Sequence, residues 1–260
     1  MQSIVYTFVG LFGLAIGSFL NVLIYRLPRN MPFLLNRSIC PNCQKPLRWY
    51  HNIPLFAFLF LNGKCGFCKS PISWRYPAVE LLNALFYVYF YWQFGLGYKF
   101  IVFAFLASAL LAIFFIDIDF QIIPDAITLP GIAFGLAISW LPGGIGIINS
   151  LIGLLVGGGS LYVMAIIGDW LFKKESMGGG DIKMTAMLGT FLGWQQMLFI
   201  FICSSLIGLL VSLVIMAFSK KLRQTRLIPF GPFLAVAAAV AMLYGRQIID
   251  FYINNFLTNN

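Results

Sequence analysis

Long apolar stretches separated by short polar, glycine- or proline-containing joints set the pattern of this chain. A helix needs about 20 predominantly apolar residues to cross the ~30 Å hydrocarbon layer of a bilayer. Runs that answer to this description fall at residues 3–25, 77–94, 99–116, 126–141, 146–171, 196–218 and 230–252. An eighth run, 182–193, holds twelve residues and is short for a full crossing. It predicts a tilted helix, or one shielded by its neighbours. The pattern therefore predicts an all-α polytopic membrane protein of about eight transmembrane helices. Residues 3–25 are too long for the apolar core of a signal peptide, and no basic side chain precedes them, so they are read as the first span.

Composition supports this reading. Hydrophobic residues make up 60% of the 260 and charged residues only 10%, with a mean hydropathy of +0.89. A soluble domain carries about a quarter charged residues, so lipid must cover much of this surface. The net charge of +9 is then read as cations retained on one side of a bilayer, and no nucleic-acid partner is expected. If the chain starts outside, the segment 26–76 with eight basic residues lies in the cytoplasm. So do Lys173, Lys174, Lys183, Lys220, Lys221, Arg223 and Arg226, and only Lys99 and Arg246 fall outside. Were 182–193 not to cross, the basic 220–226 loop would be external, so the charge bias favours eight spans.

Three regions follow: a first helix (1–25), a cytoplasmic module (26–76) and a seven-helix membrane region (77–260). The module is punctuated by six prolines and holds four of the five cysteines. Cys40-Pro-Asn-Cys43 and Cys65-Gly-Phe-Cys68 form paired CxxC turns with 21 residues between them. Two thiolates on one tight turn converge on an ion, and a second pair closes a tetrahedral shell at Zn–S distances of about 2.3 Å. Disulfides are the competing reading, and a cytoplasmic position disfavours them. A four-thiolate zinc site is structural, because it leaves no open coordination position. His51 is not needed as a ligand. Cys203, alone in an apolar run, is read as a small buried side chain.

Only eight acidic residues exist, three of them in the stretch Asp117-Ile-Asp119-Phe-Gln-Ile-Ile-Pro-Asp125. Carboxylates at membrane depth are costly and mark functional candidates. Asp119 and Asp125 have a plainer reading as markers of a helix end in the headgroup zone. The second site is Gly178-Gly179-Gly180-Asp181-Ile-Lys183. Its glycines permit positive φ and close approach of another segment, and Asp181 opens the sixth helix, where an N-cap is the plain alternative. The topology brings Asp117 and Asp181 to the same membrane face across 64 residues of sequence. Two adjacent carboxylates cannot both ionise easily. The ionised one draws a proton from water, and the protonated one polarises a peptide carbonyl and then the leaving amine.

The chain resembles the bacterial type IV prepilin peptidases, a GxGD-type aspartic peptidase family. The likeness is carried by the segment from Gly17 to Pro28, the two cysteine pairs, Arg75-Tyr-Pro-Ala-Val-Glu-Leu-Leu82, the stretch from Asp117 to Asp125, and Gly178-Gly-Gly-Asp181-Ile-Lys183. The resemblance implies an inner-membrane endopeptidase that cuts the leaders of prepilins or type II secretion pseudopilins at the cytoplasmic face. Asp117 and Asp181 are the implied catalytic pair, and Asp119, Asp125, Gly178, Gly180 and Lys183 the supporting candidates. It also implies methylation of the new amino terminus from S-adenosylmethionine. No glycine-rich nucleotide loop is present, so the sequence assigns no residue to the methyl donor; cleavage without methyl transfer is the alternative. A proton-coupled transporter calls for acids deep in several spans, whereas here they cluster at one end. A non-catalytic scaffold built around the cysteine module leaves Asp117 and Asp181 unexplained. Oligomeric state is not legible.

Overall fold

The computed structural model describes residues 2–33, 37–174, 177–218, 229–252 and 254–255. The basic cluster Lys220, Lys221, Arg223 and Arg226 lies outside the described residues. Helices dominate: α1 (Gln2–Arg26), α2 (Phe56–Phe60), α3 (Arg75–Phe94), α4 (Tyr98–Phe120), α5 (Asp125–Ser139), α6 (Ile147–Leu154), α7 (Ser160–Phe172), α8 (Gly179–Leu192), α9 (Trp194–Phe218), α10 (Gly231–Val240) and α11 (Arg246–Tyr252). Wide π-type turns at Leu155–Gly159 and Ala241–Gly245 join α6 to α7 and α10 to α11 into longer rods. No strand occurs among the described residues; two isolated antiparallel bridges, Ile39 with Pro46 and Lys64 with Pro71, are the only pairing.

Among the described residues, four helical segments are both long and apolar enough to cross a membrane: Gln2–Arg29, Tyr98–Phe120, Ile147–Phe172 and Trp194–Val214. Asp125–Ser139 and Gly231–Gly245 are shorter apolar helices. Each of the eight expected runs is helical, but eight full crossings are more than helix length and apolarity alone establish. At about 1.5 Å per residue, the 14 residues of α8 fall well short of the bilayer core. Large side chains such as Phe8, Leu155, Trp170 and Leu210 point outward, as a lipid-covered surface requires.

The chain divides into two compact units, residues 1–116 and 117–260. In the first, α1 and α3 pack closely through glycine. A Cβ on Gly13 would lie 2.8 Å from the Ala84 Cα, and one on Gly17 would lie 2.7 Å from the Glu80 Cα. This is the small-residue contact that lets membrane helices approach. Polar groups lock it: the Asn83 Nδ2 donates to the Gly13 carbonyl (2.8 Å) and the Ser108 hydroxyl donates to the Asn83 Oδ1 (2.8 Å).

In the second unit α8 is the centre. Every residue from Met184 to Phe191 is buried. Gly153 of α6 lies against the Gly189 backbone, Gly157 and Gly158 of the π-type turn against Thr185 and Ala186, and Gly131 and Gly135 of α5 against Met187 and Thr190. A short helix enclosed in this way has its sides covered by protein, the shielded arrangement predicted for residues 182–193.

Candidate active site

Helix α4 does not stop at Ile116, where the apolar run ends. It continues through Phe120 and is closed by Gln121 in the left-handed region at φ +55°, whose N–H donates to the Asp117 carbonyl at 2.9 Å. Asp117 therefore sits on the last turn of a helix, and it is buried, with 5% of its surface exposed. Asp119, two residues on, is exposed, and so is Asp125 at the first turn of α5.

Gly178 takes the N-cap position of α8, and Asp181 is the third helical residue. The N-cap reading of Asp181 is therefore corrected: its side chain caps nothing, and its buried Oδ1 has no hydrogen-bond partner. None of the three glycines uses the positive φ it permits. Close approach is what Gly180 provides, where a Cβ would come within 2.8 Å of the Ile123 Cβ. The loop after α4 thus lies against the start of α8. Asp117 and Asp181 are near enough for their charges to act on each other. Lys183 binds Asp125 through both carboxylate oxygens, at 2.7 and 2.8 Å.

Sequence reasoning missed Gly231, the first residue of α10. Its backbone N–H donates to the Asp117 carboxylate, and a Cβ there would lie 2.5 Å from the Asp117 Oδ2. A glycine between Phe230 and Pro232 at the head of an apolar run was the available signal. A second omission is the repeat Cys-x-x-Cys-x-x-Pro, present at Cys40–Pro46 and Cys65–Pro71.

Each copy of that repeat folds into the same knuckle. The Cys40 N–H donates to the Lys45 carbonyl (3.0 Å) and the Gln44 N–H to the Cys40 carbonyl (2.9 Å). In the second copy the Cys65 N–H donates to Ser70 (2.8 Å) and the Lys69 N–H to Cys65 (3.0 Å). Gln44 and Lys69, equivalent positions, are both left-handed, at φ +57° and +59°. The four sulfurs lie within 4.8 Å of one another, with the Cys40 and Cys68 sulfurs 3.9 Å apart. A tetrahedron with metal–sulfur distances of about 2.3 Å has edges of about 3.8 Å, so the donor set fits one metal ion. None of the cysteines is in a disulfide. Hydrogen bonding from Ser70, first through its hydroxyl and then its backbone, brings the Cys68 thiol down to about 6. His51 packs against Tyr50 and Phe67, and Cys203 is only half-buried.

A helical membrane protein with two carboxylates whose charges act on each other and a four-cysteine cluster is the class of molecule these observations define. Residues 11–94 match the family model of the bacterial peptidase A24 N-terminal domain, and residues 104–213 that of the type IV leader peptidase family. A protein of Aeromonas hydrophila named prepilin leader peptidase/N-methyltransferase is 37% identical over 280 residues, covering 97% of this chain and 95% of that one. Proteins of the same name from Pseudomonas aeruginosa (38% over 270 residues, 94% and 91% covered) and Legionella pneumophila (37% over 290 residues, 97% and 96% covered) are similar as well. The chain belongs to the type IV leader peptidase family. No solved structure matches it. The transporter alternative finds no support in these relatives.

Proposed function

We propose that this protein removes the leader peptide of type IV prepilins or type II secretion pseudopilins as an aspartic endopeptidase, and then N-methylates the new amino terminus. The observation that carries the cleavage reading is the juxtaposition of Asp117 and Asp181, two carboxylates far apart in sequence, one of them with a buried oxygen that meets no protein donor. The ionised member of the pair takes a proton from a water, which attacks the scissile carbonyl. The protonated member donates to the carbonyl oxygen, and the proton is passed to the leaving amine as the C–N bond breaks. Gly231 fixes the Asp117 carboxylate through its N–H. Gly178, Gly180 and the Lys183–Asp125 pair hold the start of α8 against the loop that follows Asp117. Asp119, exposed on α4, is an auxiliary polar group at the rim.

The cysteine knuckles hold a structural Zn2+ through Cys40, Cys43, Cys65 and Cys68. The charge bias favours eight crossings of the inner membrane, with residues 26–76 and the carboxylate pair at the cytoplasmic face. An apolar pilin helix with a short basic leader places its junction at that same depth. S-adenosylmethionine is the methyl donor in this reading.

The test is leader removal from a prepilin in membranes containing Asp117→Asn or Asp181→Asn protein. Both variants should leave the precursor uncut while accumulating to normal levels. Cleavage at wild-type rate by either one sinks the assignment.

A further inference from the structure

A cleft of about 590 Å³ lies within the first unit, lined by α1, the cysteine module and the start of α3. It is of the size that takes a small organic ligand, roughly 300–1,000 Å³. Its wall carries one buried acceptor without a partner and one buried carboxylate without an opposite charge bound to it. Asn21 of α1 is buried, and its Nδ2 donates to the Tyr76 carbonyl at 3.0 Å, which fixes the amide and leaves Oδ1 without a partner. Glu80 of α3 is likewise buried. Its carboxylate accepts the Leu55 N–H at 2.8 Å, with Leu55 at φ +59°, and the Ser18 hydroxyl. Buried acceptors and carboxylates are costly unless something donates to them or carries the opposite charge. Arg29 and Arg75 line the same cavity, as do the aromatic rings of Tyr25 and His51.

Acceptors with a negative charge, guanidinium groups and rings together suit a ligand that combines a cation, a carboxylate and a flat heterocycle. We propose that this cavity is the S-adenosylmethionine site. Glu80 and Asn21 face the donor's cationic amino-acid and sulfonium end, and the arginines face its carboxylate. The inference rests on the methyl-transfer reading given above. When bound, the donor supplies a methyl group: the pilin's α-amino nitrogen gains the N–C bond, the C–S bond breaks with its electron pair kept by sulfur, and the nitrogen releases a proton.

Glu80→Gln separates a ligand role from a structural one. The glutamine carbonyl can still accept the Leu55 N–H and its amide nitrogen can donate to the Ser18 hydroxyl oxygen, while the negative charge facing the cavity is gone. Binding of labelled S-adenosylmethionine to the purified full-length protein, by equilibrium dialysis, should weaken at least about tenfold in Glu80→Gln, with zinc content unchanged as the check on folding. Unaltered affinity in that variant overturns the proposal. Should the variant fail to fold, ultraviolet crosslinking of the same labelled donor to the wild-type protein decides. Adducts on peptides from residues 18–29 or 51–80 support the site, and adducts confined to residues 117–260 overturn it. A wild-type protein that neither binds the donor nor methylates cleaved pilin refutes the methyl-transfer reading itself. One that binds and methylates while Glu80→Gln binds equally refutes only the assignment of the cavity.

Discussion

Lys183 holds Asp125 in a two-pronged ion pair, 2.7 and 2.8 Å from its carboxylate oxygens, and so joins the N-terminal part of α8 to the first turn of α5. Asp181 lies two residues before Lys183, and the loop that follows Asp117 leads directly into Asp125. The side chains are 42% and 53% exposed, so the pair contributes no more than about 1 kcal/mol to stability. Its weight falls on geometry. Lys183→Met is expected to leave thermal stability nearly unchanged and to slow leader cleavage about tenfold, since small misplacements of catalytic groups are expensive. Exchanging the two residues, Asp125→Lys with Lys183→Asp, should recover part of that loss. Wild-type cleavage in Lys183→Met, measured against a purified prepilin, would remove the positioning role.

The glycines around the carboxylates are expected to differ sharply in their tolerance of alanine. Gly231→Ala drives a methyl group into the Asp117 carboxylate, and Gly180→Ala drives one into Ile123. Both should reduce cleavage tenfold or more. At Gly179 nothing lies within 4 Å of the added carbon and φ is not positive, so Gly179→Ala should cut normally. Relative initial rates of the three variants, at matched protein levels, check the ranking.

These contrasts show how far the sequence could be read. The helices were legible because lipid demands long apolar runs, and both aspartates stood out because carboxylates are rare in such runs. The end of α4 was not, since the apolar pattern stops at Ile116 while backbone hydrogen bonding carries the helix on to Phe120. Neither Gly231 nor the buried faces of Asn21 and Glu80 could be assigned a role, because each depends on a partner distant in sequence. Asn21 and Glu80 lie in the segments that carried the family resemblance, yet a motif without a third dimension does not reveal a cavity. The shortness of 182–193 makes a shielded helix legible, but its enclosure by five glycines of α5, α6 and the turn after α6 depends on contacts distant in sequence.

Metal content tests the cysteine cluster. The purified protein is expected to carry one Zn2+ per chain, and Cys40→Ser or Cys65→Ser should abolish it, since three thiolates leave the shell incomplete. Elemental analysis of detergent-purified protein gives the number. A stoichiometry near zero in wild-type protein prepared without chelators would contradict a structural zinc. Because the carboxylate pair lies in the second unit, stripping the metal should impair cleavage far less than Asp117→Asn does.

A bulky residue at Gly17 probes the α1–α3 contact. With the Glu80 backbone 2.7 Å from the position of a Cβ, Gly17→Leu must push the helices apart and distort the cavity wall between them. Donor binding should fall at least as far as in Glu80→Gln, and the protein should melt earlier, as read by the midpoint of aggregation on heating in detergent.

The central claim is that Asp117 and Asp181 act as one catalytic unit, and single-turnover cleavage by Asp117→Asn, Asp181→Asn and the double variant tests it most directly. Residues that work as a unit are strongly non-additive. Each single change should lower the rate at least about a thousandfold, and the double variant should be no slower than the slower single one. Near wild-type cleavage in either single variant, or a double variant slowed by the product of the two single effects, would contradict the account.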